Sequence, residues 1–254
     1  MKKNLVSVIT PTWNRADTFL PRTIESVQRQ LENSVEHEHI IVDNASSDNT
    51  RKVVQEYAKK DPRIKYIRSP KNVKASGALN IGFKASKGSF IYPLDDDDCL
   101  LPYTLENFYE VFSKAPKIDW MYGVPLIIDA NDVINYKWRW PNKDYSTSKQ
   151  MFWHLMKADF ICNGTVIMRR SAVIKVKGWD KTLASQDYVM WLKLAFAGLK
   201  HKHMRQYVVF YRQHDKRESS KNATNGLWAG VRKYLLEKYN TTEQEILEKT
   251  ARKQ

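Results

Sequence analysis

Short apolar runs alternate with longer stretches of helical spacing through the first half of the chain. Leu5 to Thr10 is a strand-length run, and Phe19, Ile24, Val27 and Leu31 share one face of a helix over residues 19–31. His39 to Val42 predicts a second strand, after which Ser47-Asp48 offers a cap for a helix reaching about Lys59. Ile64 to Ile67 predicts a third strand, Ala75 to Ala85 a third helix, and Ser89 to Leu94 a fourth strand. Strands alternating with helices of about 10–15 residues predict βαβ units and a mostly parallel sheet. Beyond a helix near Leu101–Ser113 the pattern loosens. A helix over Tyr188–Ala197, a strand over Tyr207–Tyr211 and a helical tail from Thr224 are expected further on, the tail with Trp228, Val231, Leu235 and Tyr239 toward one face. No internal repeat or low-complexity linker interrupts the chain.

Composition narrows the class. At 254 residues and 42% hydrophobic content the chain fits one large α/β domain with a short appendage. Two cysteines, Cys99 and Cys162, are too few for a disulfide framework and fit a reducing compartment. The basic, then apolar start is too short for a signal-peptide core, and no stretch approaches the length of a membrane span. A cytoplasmic location is the expectation. The net charge of +14 invites nucleic acid, an anionic membrane surface or a phosphorylated substrate, against a plain Lys-rich solvated surface. Zinc-finger spacing, heptads and RNA-binding aromatic signatures are all absent, so nucleic acid is not an expected partner.

The chemistry gathers where apolar runs end. Asp95 to Asp98 follows the run Ser89-Phe-Ile-Tyr-Pro-Leu94, and Cys99-Leu100-Leu101-Pro102 follows them, so this is no free acidic tail. Ligands in open α/β sheets bind at the carboxyl ends of the strands. Four adjacent carboxylates repel one another, and a hard divalent cation with oxygen ligands relieves that repulsion. Two other predicted strands end in polar groups: Val6-to-Thr10 runs into Pro11, Thr12, Asn14 and Arg15, and Ile40-Ile-Val runs into Asp43. Three polar strand ends on one edge predict a nucleotide pocket. Neither a Walker-type loop nor G-x-G-x-x-G is present, which argues against P-loop and dinucleotide enzymes.

These segments resemble glycosyltransferase family 2. The matching stretches are Val8-Ile-Thr-Pro-Thr-Trp-Asn-Arg15, Ile41-Val-Asp-Asn-Ala-Ser-Ser-Asp-Asn-Thr50, Asn72 through Asn80-Ile-Gly82, and Leu94-Asp-Asp-Asp-Asp98. Gly178-Trp-Asp180 and Ser185-Gln-Asp187 with Trp191-Leu192 follow, in the family's order, so the likeness spans roughly Val6 to His214. The resemblance implies an α/β fold of GT-A type: a mostly parallel, Rossmann-like central sheet flanked by helices, with a C-terminal helical tail. It implies a nucleotide-sugar-binding half over 1–98, an acceptor-binding and catalytic half over 99–215, and a helical extension over 216–254.

The resemblance also assigns residues. Pro11, Thr12, Asn14, Arg15, Asp43, Lys74, Asn80, Asp95 and Asp96 would line the donor site, with Thr12 and Asp43 on base and ribose and Asp43 accepting from a uracil N–H. Asp95 and Asp97 form a D-x-D pair that faces one way if strand geometry persists through it. Asp97 would hold Mn²⁺ or Mg²⁺ with His214 beside it, and Asp95 would contact ribose or a metal-bound water. Asp187 matches the family's base, or alternatively a helix cap, and follows Gln186 where the family usually has Glu. Trp138, Trp140 and Trp153, within an aromatic stretch from Tyr136, would form an acceptor platform or else a small satellite core. The processive synthases' Gln-x-x-Arg-Trp is absent, which implies one sugar per encounter.

The expected activity is therefore metal-dependent, inverting transfer of one sugar from a nucleotide-sugar, a UDP-sugar first, to a glycan or lipid-linked acceptor. Two other classes compete. A sugar nucleotidyltransferase would need a Gly-rich basic loop where Thr10-Pro-Thr-Trp-Asn14 stands, and a non-catalytic module for anionic glycan or nucleic acid would not need Asp95, Asp97 and Asp187 intact.

Overall fold

The computed structural model describes residues 2–31, 33–135, 145–181, 185–215, 217, 233–234, 236–242 and 244–245. The first half follows the hydrophobic pattern: β1 (Lys2–Thr12), α1 (Leu20–Gln28), β2 (Glu36–Asp43), α2 (Thr50–Lys60), β3 (Ile64–Arg68), α3 (Lys74–Ala85) and β4 (Gly88–Pro93). β1 is rich in β-branched residues and is buried on both faces, as a central parallel strand must be. Val6 and Val8 point into a core shared with α1 and α4, while Ile9 points into the larger core beneath α3, α5 and α7. α1 has Pro21 in its first turn, where a missing N–H costs nothing, and turns Leu20, Thr23, Ile24 and Val27 inward.

The second half comprises β5 (Cys99–Leu100), α4 (Thr104–Lys114), β6 (Trp120–Ile128), α5 (Ser148–Lys157), a short 3-10 turn (Asn163–Thr165), β7 (Val166–Arg169), α6 (Arg170–Lys175), α7 (Gln186–Phe196) and β8 (His201–Arg212). The strands form one sheet in the order β3-β2-β1-β4-β7-β6-β8-β5. β1 pairs in parallel with β2 and β4, and β2 with β3, so the N-terminal half of the sheet is wholly parallel. Beyond β4 the sheet is mixed, with β7 antiparallel to β4 and β6, β8 parallel to β6, and β5 antiparallel to β8. The expectation of a mostly parallel sheet thus holds chiefly in the first half.

β6 and β7 were not legible as strands because neither alternates cleanly. β6 is buried at most positions, and its register with β8 shifts twice around Gly123. β8 is longer than the predicted Tyr207–Tyr211. Its middle, Arg205-Gln206-Tyr207, is exposed opposite that irregularity, which hides the strand's true length from a two-residue pattern.

α7 is the most deeply embedded helix, with Tyr188 through Leu192 all buried and Trp191 stacked on Trp120. The described part of the C-terminal segment packs on this layer: Tyr239 meets Phe152 and Phe196, and Lys238 pairs with Asp180. Trp228, Val231 and Leu235, expected toward one face of the helical tail, lie outside the described residues. Among the described residues no helix is long and apolar enough to cross a membrane. Both cysteines are free thiols.

Candidate active site

The parallel register lines up three strand ends. Thr12 sits beside Asp43, and Asp43 beside Arg68. The Asp43 carboxylate is fully buried and already engaged: it accepts from the Ser46 N–H at 2.7 Å, from the Tyr66 hydroxyl and from Arg68 Nη1 at 2.6 Å. Asp43 accordingly pushes the Tyr66 hydroxyl up, burial being the larger cause. Arg68 also donates to the Ser46 carbonyl, so Tyr66 and Arg68 fix both the carboxylate and the turn after β2. Sequence reading missed both residues; a basic residue ending a strand next to an Asp-ended strand was the available signal.

Asn14 ties this turn to the one after β1. It adopts a left-handed backbone (φ 54°), receives Ser47 N–H on Oδ1 at 2.8 Å, and donates its own N–H to Ser46 Oγ at 2.9 Å. An Asn tolerates that backbone region better than most residues. Asp48 completes the clasp by accepting from the Ala16 N–H and, at the start of α2, from Thr50. The cap predicted at Ser47-Asp48 is therefore carried by Asp48.

β4 ends at Pro93, and the chain turns across Asp95–Asp98, closed by the Asp98 N–H on the Asp95 carbonyl. The expectation that strand pleating aligns Asp95 with Asp97 is corrected: a turn converges them and adds a residue. Ligand atoms of Asp95, Asp97 and Asp98 lie within 4.8 Å of one another. Asp96 diverges toward β1, with Arg15 Nε 3.8 Å away and the Thr12 hydroxyl and Trp13 N–H favouring its ionised form. Burial, then the Asp97 charge, pushes Asp95 and Asp96 up to about 7. Burial would raise Asp97 as well, but His214, Arg217 and Arg15 hold it below its ordinary value. Asp98 is driven well above the carboxylate range by burial and by Asp97 and Asp95.

Residues far along the chain complete the cluster. His214 Nε2 lies 3.0 Å from Asp97 Oδ2, its ring held against Phe19. Asn163 Nδ2 donates to Asp95 Oδ1 at 2.8 Å, while Asn163 Oδ1 and Asp98 Oδ2 are buried without a hydrogen-bond partner. At Gly164 a Cβ would stand 3.1 Å from Asp98 Oδ2, so the tight approach of the Asn163–Thr165 turn favours glycine. Arg217 lies over the Tyr211 ring and donates to its hydroxyl. Asn163 and Arg217 had no distinguishing signal in the sequence, and Asp98 was legible only as a member of the four-carboxylate run.

Three converged carboxylates, one of them with a partnerless buried oxygen at Asp98 Oδ2, and the partnerless Asn163 Oδ1 form a donor set that a hard divalent cation fits. Of the predicted pair, Asp97 and His214 are brought together.

Asp187 stands at the second position of α7, whose N-cap is Ser185, and accepts from the Tyr188 N–H at 2.8 Å. Its charge adds to the causes that raise the carboxyl of Asp95, after burial and Asp97. Burial, then the Asp187 charge, raises Asp159, a buried carboxyl unforeseen in the sequence.

Other expected site residues sit elsewhere. Both ends of the Asn80 amide engage the Trp179 backbone, at 2.8 and 3.0 Å, so Asn80 ties α3 to the Gly178–Asp180 turn. Lys74 is exposed at the start of α3 with φ 60°. Pro11 lies in β1 opposite Val42. Trp153 is half-buried against the main core, edge-on to Phe152. Trp138 and Trp140 lie outside the described residues.

A family model described as "Glycosyl transferase family 2" matches residues 7–177. A Campylobacter jejuni protein, "GalNAc(5)-diNAcBac-PP-undecaprenol beta-1,3-glucosyltransferase", is 30% identical over 86% of this chain and 69% of its own length. The Staphylococcus aureus "Poly(ribitol-phosphate) beta-N-acetylglucosaminyltransferase TarP" is 33% identical over 75% of this chain and 57% of its own. Among solved structures, S. aureus TarS 1–349 in complex with UDP-GlcNAc superposes with a TM-score of 0.69 at 18% identity. That match covers 85% of this chain but 60% of TarS 1–349, so the chain spans well under the full length of that structure. The mannosyltransferase PcManGT of Pyrobaculum calidifontis, in complex with GDP-Man and Mn²⁺, superposes with a TM-score of 0.65 at 17% identity, over 86% and 59%.

Proposed function

This chain belongs to glycosyl transferase family 2, and we propose that it moves one sugar from a UDP-sugar to a hydroxyl of a phosphate-bearing acceptor, with inversion. The observation that carries this reading is the convergence of Asp95, Asp97 and Asp98, with His214 against Asp97 and the Asp187 charge felt at Asp95.

Thr12, Asp43 and Arg68 bind the nucleoside end at the edge of the parallel strands. The fixed turns at Asn14 and Ser46 hold that edge in place before the donor arrives, which lowers the ordering cost of binding. Asp97, with Asp98, Asp95 and His214, would hold Mn²⁺ or Mg²⁺, which when bound neutralises charge on a departing diphosphate. Asp187 takes the acceptor hydroxyl proton as that oxygen forms its bond to the anomeric carbon and the bond to the diphosphate oxygen breaks. No covalent sugar–enzyme intermediate is required. A net charge of +14 suits an acceptor carrying phosphate or diphosphate. The names of the C. jejuni and S. aureus relatives, with their diphosphate-linked lipid and poly(ribitol-phosphate), point the same way.

The test is a donor screen: UDP-, GDP- and dTDP-sugars, each with Mn²⁺ and with EDTA, read by thermal shift and by nucleotide release. Release confined to UDP-sugars and abolished by EDTA is expected. Donor cleavage equal in EDTA would remove the cation from the reading, and a GDP- or dTDP-sugar preference would overturn the nucleotide.

A further inference from the structure

Arg212 is fully buried at the last position of β8, and neither the resemblance nor the mechanism above uses it. Its backbone N–H donates to Asp98 Oδ1 at 2.9 Å, and its Nε donates to the Asp97 carbonyl at 2.9 Å. The other side of the guanidinium faces away from the site: Nη1 donates to Asp132 Oδ1 at 2.5 Å and to the Asp129 carbonyl at 3.2 Å. Asp132 in turn pairs with Arg22 of α1. The guanidinium plane lies 4.7 Å from the centre of Phe19, the same ring that packs on His214. Thr23 of α1 reinforces the turn by donating to the Asp98 carbonyl at 2.7 Å.

Two features separate this arrangement from ordinary charge compensation. Within the acidic turn the guanidinium bonds a backbone carbonyl, so what it fixes is the direction of the turn. Cations answering the carboxylate charge there are instead Arg217, Arg15 and, when protonated, His214. Moreover, Arg212 and His214 leave the same strand end two residues apart, so one segment sets the positions of Asp97, Asp98 and the imidazole together. Planar, forked geometry is what allows one side chain to hold two loops at once; a lysine carries the charge without the fork.

We infer that Arg212 is a positioning residue that locks the Asp95–Asp98 turn and His214 into a cation-binding geometry by bridging the turn to the 129–132 loop. This inference rests on the reading of the acidic turn as a cation site. Partners that orient ligands in this way change metal affinity by about 10–100-fold when removed.

The test titrates Mn²⁺ into the full chain with UDP present, following free Mn²⁺ by electron paramagnetic resonance, and measures the Mn²⁺ dependence of donor cleavage alongside. Arg212→Lys is expected to weaken Mn²⁺ binding by about 10–100-fold, with turnover largely recovered at saturating Mn²⁺. Wild-type Mn²⁺ affinity in Arg212→Lys overturns the inference. Should Arg212→Lys fail to fold, Asp132→Ala decides, because it removes the outer anchor from a half-exposed loop: a several-fold weakening supports the bridge, and unchanged affinity overturns it. Wild-type protein that binds no Mn²⁺ with UDP takes down the proposed cation site itself, a different failure read from a different sample.

Discussion

In the proposed reaction Asp187 and Asp97 carry opposite demands, since a base needs its charge free and a cation ligand needs its charge shared. Asp187→Asn keeps the shape at the start of α7 and the acceptor for the Tyr188 N–H while removing basicity. Turnover is expected to fall by about 10²–10⁴-fold with donor affinity retained, the range general base catalysis supplies. Loss of UDP affinity with turnover preserved would make Asp187 a cap alone. Asp97→Ala removes the charge that helps raise Asp95, Asp96 and Asp98 but also the partner of His214 and Arg217, so the two effects oppose and metal-free stability is expected to change little while donor cleavage is lost. The pH dependence has a definite sign. Asp95 and Asp96 are raised to about 7 in the fold, so the folded state binds more protons than the unfolded chain above the ordinary carboxylate range. Their contribution to stability is therefore complete below about pH 4 and is lost as pH rises through about 7. A bound cation reverses that loss. The rise in melting temperature on adding Mn²⁺ should thus grow from pH 5.5 to pH 7.5 in wild type and vanish in Asp97→Ala; a pH-independent rise would contradict the shared-charge account.

At the level of elements, the site depends on how closely α3 lies on the sheet. Gly82 faces β1 and β2 so tightly that a Cβ would stand 2.4 Å from Ile9 Cγ2 and 3.2 Å from Val42 Cγ2. Gly82→Ala gains up to about 1 kcal/mol of helix propensity. Pushing α3 outward is expected to cost about 1–3 kcal/mol by overpacking, which outweighs that gain. A lowered urea midpoint with an unchanged slope is the expected result, and a raised midpoint would mean α3 has room to move. α3 also carries Asn80, whose amide grips the turn at Trp179. A shift of this helix thereby bears on the Gly178–Asp180 turn, whose Gly178 carbonyl accepts from Lys193 of α7.

Across the whole molecule, an excess of fourteen positive charges surrounds a buried acidic cluster. The described C-terminal segment spends Lys238 on Asp180 and Tyr239 on Phe152 and Phe196, which is packing on the catalytic layer. Membrane attraction, if the acceptor is lipid-linked, is expected from the surface charge, at about 1 kcal/mol for each basic residue near an anionic leaflet. The full chain is expected to sediment with anionic vesicles at low salt, to release at high salt and to ignore neutral vesicles. Failure to sediment at low salt would leave the positive charge to donor and acceptor alone.

Local period and strand-end chemistry were enough to read β1 through α3, the parallel half of the sheet, and the polar groups gathered at its carboxyl edge, because those signals lie within a few residues of one another. Asp95 and Asp97 were legible for the same reason, whereas Asp187 and His214 were legible only through the family resemblance. Their assembly was not. Asp97 meets His214 across 117 residues, Asp95 meets Asn163 across 68, and the Asp97 carbonyl meets Arg212 across 115. Such contacts arise only when β7, β6 and β8 close onto β4, and those strands carry irregular register and burial on both faces in place of a clean alternation. The sequence by itself thus determined which groups carry charge and where the parallel strands end. Only the tertiary structure decided which carboxylates converge, that Asn80 is spent on Trp179, and that a buried arginine holds the acidic turn, since each depends on packing between segments with no local signature.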